Sequence, residues 1–270
     1  MSQGSDDLDA SIQASSSEVE ADSYVKDQPR RIKRRGIYLL PNLFTTGALF
    51  CGFYAITAAM VGKYDESAKA IFFAMLLDGL DGRVARMTHT QSLFGAEYDS
   101  LSDMVAFGVA PSLLVYSSML GSLGKFGWMV AFIYTSCAAL RLARFNVQTA
   151  NVSKKYFIGL PSPSAAALVA SFVWVGVESE VLGVYFSSFA GLLTIFSAVM
   201  MVSNIRFHSF KQIDLRGRVP FMVILAAILI FAVIALSPSR GFLVIFLAYA
   251  FFTPVLALKK LIFARFLSAK

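Results

Sequence analysis

Asp78, Asp81, Asp99 and Asp103 stand in one stretch, DGLDGRVARMTHTQSLFGAEYDSLSD at 78–103, inside a chain otherwise rich in apolar side chains. Residues three or four apart on a helix share a face, so Asp78 stacks with Asp81 and Asp99 with Asp103, each pair separated by roughly 4.5 to 6 Å of rise. Two such helices running antiparallel would aim all four carboxylates into one cleft. So much like charge in a low-dielectric site calls for cations. Hard carboxylate oxygens suit Mg2+ or Mn2+, and a pair of such ions can clamp a diphosphate while neutralising charge on a departing phosphate. Gly82 and Gly95 lack a Cβ and let a nucleotide approach the backbone closely. Arg86 offers a bidentate fork for phosphate, and Ala85 allows close helix packing. The pattern implies metal-assisted phosphoryl-group transfer at a membrane surface.

The elements that must position these residues read as membrane helices. Hydrophobic residues make up 57% of the 270 and charged residues 15%, with a mean hydropathy of +0.65, unlike a soluble domain. Apolar runs lie at about 38–61, 66–87, 97–121, 126–148, 158–177, 181–203, 217–236 and 241–264, each near the ~20 residues that cross a hydrocarbon core as a helix. The fold expected is an all-α polytopic bundle of about eight transmembrane helices. An even count puts both termini on one side. Arg30, Arg31, Lys33, Arg34 and Arg35 precede the first span. Same-side connections carry Arg83 and Arg86, then Arg141, Arg144, Lys154 and Lys155, then Arg206, Lys211, Arg216 and Arg218, whereas the opposite side holds little beyond Lys63, Lys69, Lys125 and Arg240. The positive-inside rule then makes the termini and the aspartates cytoplasmic. Charges within such helices are costly and usually mark function, at about 2.5 to 3.5 kcal/mol each on insertion scales.

The expected organisation is a disordered acidic tail over 1–29, with seven acidic residues, a basic juxtamembrane segment over 30–37, and a transmembrane domain over 38–266. No basic region precedes an early apolar stretch, so no cleaved signal peptide is expected. The basic run at 30–35 reads first as a topology signal and second as a contact for anionic membrane lipids. The net charge of +7 follows loop sidedness, which excludes nucleic acid as a partner. Cys51 and Cys137 fall in spans without Cys-x-x-Cys spacing and read as buried thiols. His89 lies at an unspecified position between the aspartate pairs and reads as a solvated loop residue.

The order Asp-x-x-Asp-Gly-x-x-Ala-Arg, eight residues, then Gly-x-x-x-Asp-x-x-x-Asp, resembles the signature of the CDP-alcohol phosphotransferase family without a departure. The resemblance implies Mg2+- or Mn2+-dependent attack by an alcohol hydroxyl on the lipid-side phosphate of a CDP-linked donor, releasing CMP, with two ions at the site. Carried over, Asp78, Asp81, Asp99 and Asp103 are metal ligands, and Asp103 is also the proton-accepting base. Gly82, Arg86 and Gly95 frame the cytidine diphosphate. Pro41-Asn42-x-x-Thr45 opens the first span in the manner of the family and brings Asn42 and Thr45 to the nucleotide site; Asn42 reads equally as a helix cap. Within the family, LPNLFTTGALFCGFYAI at 40–56, RLARFNV at 141–147 and GLPSPSAAA at 159–167 are similar to bacterial-type phosphatidylserine synthases, over most of residues 37–210. That likeness implies CDP-diacylglycerol as donor, L-serine as acceptor, a homodimer, and the cytoplasmic membrane of a bacterium with the site facing the cytoplasm. A serine carboxylate needs a cation, for which Arg141 and Arg144 are the candidates, with Asn146 adding a hydrogen bond; Lys154 and Lys155 read as inside-facing anchors. Pro161 and Pro163 are expected to break the start of the fifth span. Two rivals stay open: the same chemistry on glycerol 3-phosphate, inositol phosphate or choline, and a cation or proton transporter using the aspartates as a relay. Against transport, no second copy of the motif exists in the chain.

Overall fold

Four residues, 62–65, separate the first two apolar runs, which suits a helical hairpin. In the computed structural model α1 spans Leu39–Met60 and α2 spans Tyr64–Met87. The acidic Asp65 and Glu66 in the first turn of α2 and Arg86 in its last suit the helix dipole. Buried Ser67 Oγ ties the hairpin by donating to Ala55 O at 2.7 Å. The structure describes residues 39–88, 90, 92–148, 156–180, 184–208, 237–268 and single positions between 225 and 236, all within one compact unit, Ile37–Lys270. The tail over 1–29, the basic segment, His89, Lys154, Lys155, Lys211, Arg216, Arg218 and most of the run at 217–236 lie outside the described residues.

Ser92 begins α3 (Leu93–Asp103), its Oγ accepting from Gly95 N at 3.0 Å as an N-cap does. A π turn over Met104–Val109 comes directly after, then α4 (Ala110–Ser118) with Pro111 in its first turn. A 3-10 turn, Leu120–Leu123, leads to α5 (Lys125–Gln148). After α5 the chain makes β1 (Tyr156–Ile158), α6 (Ser162–Glu178), α7 (Val184–Val202), β2 (Arg206–His208) and α8 (Pro238–Ser268). The helical class expected from hydropathy is what forms. Among the described residues four helical stretches are long and apolar enough to cross a membrane: Leu40–Met60, Leu93–Ser118, Lys125–Val147 and Tyr185–Val202. The chain is an integral membrane protein.

Among the described residues the addition to an all-helical plan is the antiparallel pair β1–β2, with Phe157 opposite Phe207. It joins the connection after α5 to the one after α7. Just beyond it Gly159 adopts φ +81 and donates to Ile205 O at 2.8 Å; a Cβ there would sit 2.2 Å from Met201 O, so only glycine fits. The expected break at the fifth span is present: Pro161 caps α6 and Pro163 occupies its first turn, as suits a residue without an N–H. α6 is the central helix, with Leu168, Val169 and Val173 buried. Phe72 of α2 stacks on Phe242 of α8 at 4.4 Å, and Phe172 of α6 on Phe186 of α7 at 4.6 Å.

Candidate active site

The end of α2 and the body of α3 supply the acidic residues, and the start of α1 and the end of α5 close around them. Carboxylate oxygens of Asp78, Asp99 and Asp103 all lie within 4.8 Å of one another. The i, i+4 spacing on α3 and the position of Asp78 on the facing helix bring them together as the spacing predicts. The donors are carboxylates from two rigid helices, with neither thiol nor imidazole among them, and this set fits a hard divalent cation. Asp81 is the exception. It is 5% exposed, beside Asp99, and its Oδ2 accepts from Thr45 Oγ1 at 2.9 Å. The same hydroxyl lies 3.1 Å from Pro41 O.

The residues expected to frame a nucleotide gather along the rim. A Cβ at Gly82 would be 3.5 Å from Arg86 Nη1, so the guanidinium folds back over the glycine, one turn beyond the acidic cluster. A Cβ at Gly95 would be 3.1 Å from Ser92 Oγ and 3.5 Å from Asn42 Oδ1. Asn42 is therefore no cap: α1 begins at Leu39, and the Asn42 carboxamide reaches across to the first turn of α3. Thr46 Oγ1 and Tyr98 OH, 3.0 Å apart, tie the same two helices.

The acceptor candidates divide. Arg141 Nη1 donates to Ser162 Oγ at the start of α6, its Nε is buried without a hydrogen-bond partner, and its charge lies near Asp103 and Asp78. Arg144 turns away, donating from Nη1 to Val202 O at 3.3 Å and from Nη2 to Asn204 Oδ1 at the end of α7. Asn146 is exposed, and its Oδ1 accepts from Ser100 Oγ at 3.1 Å, next to Asp99. Sequence reasoning passed over three serines that hold this arrangement: Ser100, Ser162, and buried Ser102, whose Oγ donates to Thr45 O at 3.1 Å. Ser100 and Ser102 flank the α3 aspartates in DSLSD, which was the available signal.

An apolar groove of about 560 Å3 runs along the outer face of α2 against α6 and α8, lined by Phe72, Met75, Leu76, Trp174 and Phe242 and reaching Arg83 at its acidic-site end. Cys51 and Cys137 are half-buried free thiols.

The family model for CDP-alcohol phosphatidyltransferase matches residues 38–203, more than half of the chain. The chain belongs to that family. CDP-diacylglycerol–serine O-phosphatidyltransferase of Helicobacter pylori strain J99 is 39% identical over 235 residues, which cover 86% of this chain and 98% of that protein. The protein of the same name from Mycobacterium bovis is 33% identical over 226 residues, 80% of this chain and 78% of its own. That of Bacillus subtilis is 34% identical over 175 residues, 64% of this chain and 92% of its own. This phosphatidyltransferase chain thus matches the Helicobacter pylori and Bacillus subtilis relatives along more than nine-tenths of their length, with the acidic cluster inside the region of the family match.

Proposed function

We propose that the protein transfers the phosphatidyl group of CDP-diacylglycerol to the hydroxyl of L-serine, giving phosphatidylserine and CMP. The observation that carries the chemistry is the convergence of Asp78, Asp99 and Asp103 within 4.8 Å. The names shared by relatives along most of the chain support serine as acceptor. In the step proposed, serine Oγ bonds to the phosphorus next to the diacylglycerol, the anhydride bond to the CMP phosphate breaks, and CMP leaves. Asp103 takes the hydroxyl proton, as a carboxylate beside a nucleophile can. Asp78, Asp99 and Asp103, with Asp81 adjoining, would hold Mg2+ or Mn2+, two ions in our reading, whose charge neutralises the diphosphate.

Other residues bind and orient. Gly82 and Gly95 leave room for the cytidine diphosphate, Arg86 grips its phosphates, and Asn42 reaches the same rim. Thr45 aims Asp81 through its 2.9 Å hydrogen bond. The groove on α2 suits one acyl chain of the lipid donor, since it is apolar and includes Gly79 and Arg83, each two residues from Asp81. Arg141, with a donor to spare beside the carboxylates, binds the serine carboxylate, and Asn146 stands nearby through Ser100. We read Arg144 as the clamp that holds α5 to α7.

The same reading makes eight spans, a cytoplasmic-facing site in the bacterial inner membrane, and a homodimer the working form. The deciding experiment measures CMP release from CDP-diacylglycerol by detergent-purified protein with Mn2+ or Mg2+, comparing L-serine, glycerol 3-phosphate, inositol phosphate, choline and no acceptor. Release that needs both serine and metal is expected. Release with another acceptor would overturn the substrate and keep the chemistry, and no release with any would return the aspartates to an ion-relay reading.

A further inference from the structure

The π turn begins at the residue after Asp103, and its origin can be traced to a proline. In a regular helix Phe107 O would accept from the N–H of residue 111, but that residue is Pro111, which has no N–H and whose ring crowds the carbonyl four positions back. Widening the helix over Met104–Val109 relieves the crowding. Phe107 O has thus lost its regular helical donor, and a buried backbone oxygen left unpaired is costly. Tyr134 supplies a donor: its side chain is fully buried and its hydroxyl donates to Phe107 O at 3.2 Å.

The neighbours make this a seat rather than a chance contact. A Cβ on Gly52 of α1 would lie 2.8 Å from Ala106 Cα, and one on Gly108 would lie 3.3 Å from Ala138 Cβ of α5. Both helices therefore press on the π turn with almost nothing between. Tyr134, Ala138 and Arg141 fall at i, i+4 and i+7 on one face of α5, and that face runs down to the side of Asp103. One extra residue in a turn rotates the later part of a helix by roughly 100° relative to the earlier part. Without the π turn, α3 and α4 could not both keep their faces: either Asp99 and Asp103 would swing away from Asp78, or Leu114 and Val115 would leave the core.

We propose that Tyr134, acting with Pro111, is a positioning residue that sets the aim of Asp103 by holding the π turn closed against α5. It rests on the carboxylate cleft being the reaction centre. The test is Tyr134→Phe, which removes one hydroxyl and keeps the ring, against Thr135→Val as control. Thr135, next to Tyr134 on α5, reaches α4 through Ser112 Oγ at 2.8 Å and itself touches no π-turn carbonyl; Ser112 makes that contact, to Val109 O. Three quantities are read on the full-length protein in detergent: kcat for CMP release, Mn2+ half-saturation of the protein alone by electron paramagnetic resonance, and melting temperature. For Tyr134→Phe we expect kcat to fall about tenfold or more, as misplacement of a reacting group does, with weaker Mn2+ binding, unchanged KM for CDP-diacylglycerol and a melting temperature lowered only by the loss of one buried hydrogen bond. Thr135→Val should match the unaltered protein in kcat and Mn2+ binding. Unchanged kcat or unchanged Mn2+ binding in Tyr134→Phe overturns the proposal, and so do equal losses in both variants. An unaltered protein that releases no CMP would instead overturn the reading of the cleft itself, which keeps the two failures distinct.

Discussion

Asp103 sits among the acidic oxygens of Asp78 and Asp99, and the proposed reaction asks the same carboxylate to take the acceptor's proton. Replacing it with Asn keeps the shape and removes the basicity. Asp103→Asn is expected to lower kcat by about 10²- to 10⁴-fold, the usual worth of a general base, while CDP-diacylglycerol still binds in a filtration or calorimetric assay. Near-normal turnover would remove Asp103 from the role of base. The two arginines one helical turn apart part ways in a manner their spacing alone does not reveal. Arg141 has a buried Nε without a hydrogen-bond partner beside the carboxylates, whereas Arg144 spends both terminal nitrogens on the end of α7. A hydrogen bond to a charged group contributes about 1.5 to 3 kcal/mol, so Arg141→Ala should raise the KM for serine by roughly ten- to a hundredfold. The KM for the lipid donor should change little. Arg144→Ala should instead lower the melting temperature with the ratio of the two KM values preserved.

Elements meet here through residues with no side chain to spare. Gly52 admits Ala106 to within 2.8 Å of where a Cβ would be, so α1 and the π turn are packed backbone to backbone. Gly52→Ala forces them apart and should cost roughly 1 to 3 kcal/mol, the usual penalty of overpacking. It should also reduce activity, because α1 carries Thr45 and Asn42 to the site. Gly159→Ala meets both a positive φ and the Met201 carbonyl, so it should destabilise the junction between β1 and α6 by more than about 1 kcal/mol. Thermal unfolding in detergent checks both. A Gly159→Ala protein as stable as the parent would mean that the turn relaxes freely.

At the scale of the whole molecule the acidic cluster stands at one end of the bundle, and the basic residues Arg83, Arg86, Arg141 and Arg144 stand at that same end. Positive residues near membrane helices are retained on the cytoplasmic side. In a background with Cys51 and Cys137 replaced, a cysteine at Ser92 should react with a membrane-impermeant thiol reagent only in inside-out vesicles. One at Lys125 should react only in right-side-out vesicles. The opposite pattern would invert the protein and cut its site off from a cytosolic acceptor. The described bundle leaves an apolar groove beside α2, and an exposed apolar surface of this kind suits contact with lipid or a ligand.

By itself the sequence determined the chemistry and the solvent. Aspartates at helical spacing share a face and long apolar runs suit lipid, so the acidic cleft and the membrane were legible locally, whereas the reaction came from the resemblance of the motif to a known family. It also marked the break at Pro161 and Pro163. Tertiary structure decided how equivalent-looking residues divide their work. Asp81 stays beside Asp99 while one of its oxygens is taken by Thr45, 36 positions away. Arg141 faces the site and Arg144 does not because α6 and α7 present different partners to the same end of α5. The π turn, too, needed Tyr134 from another helix to complete what Pro111 began. These outcomes depend on contacts between residues far apart in the chain, and a periodicity read along one helix carries no information about which neighbour stands across from it.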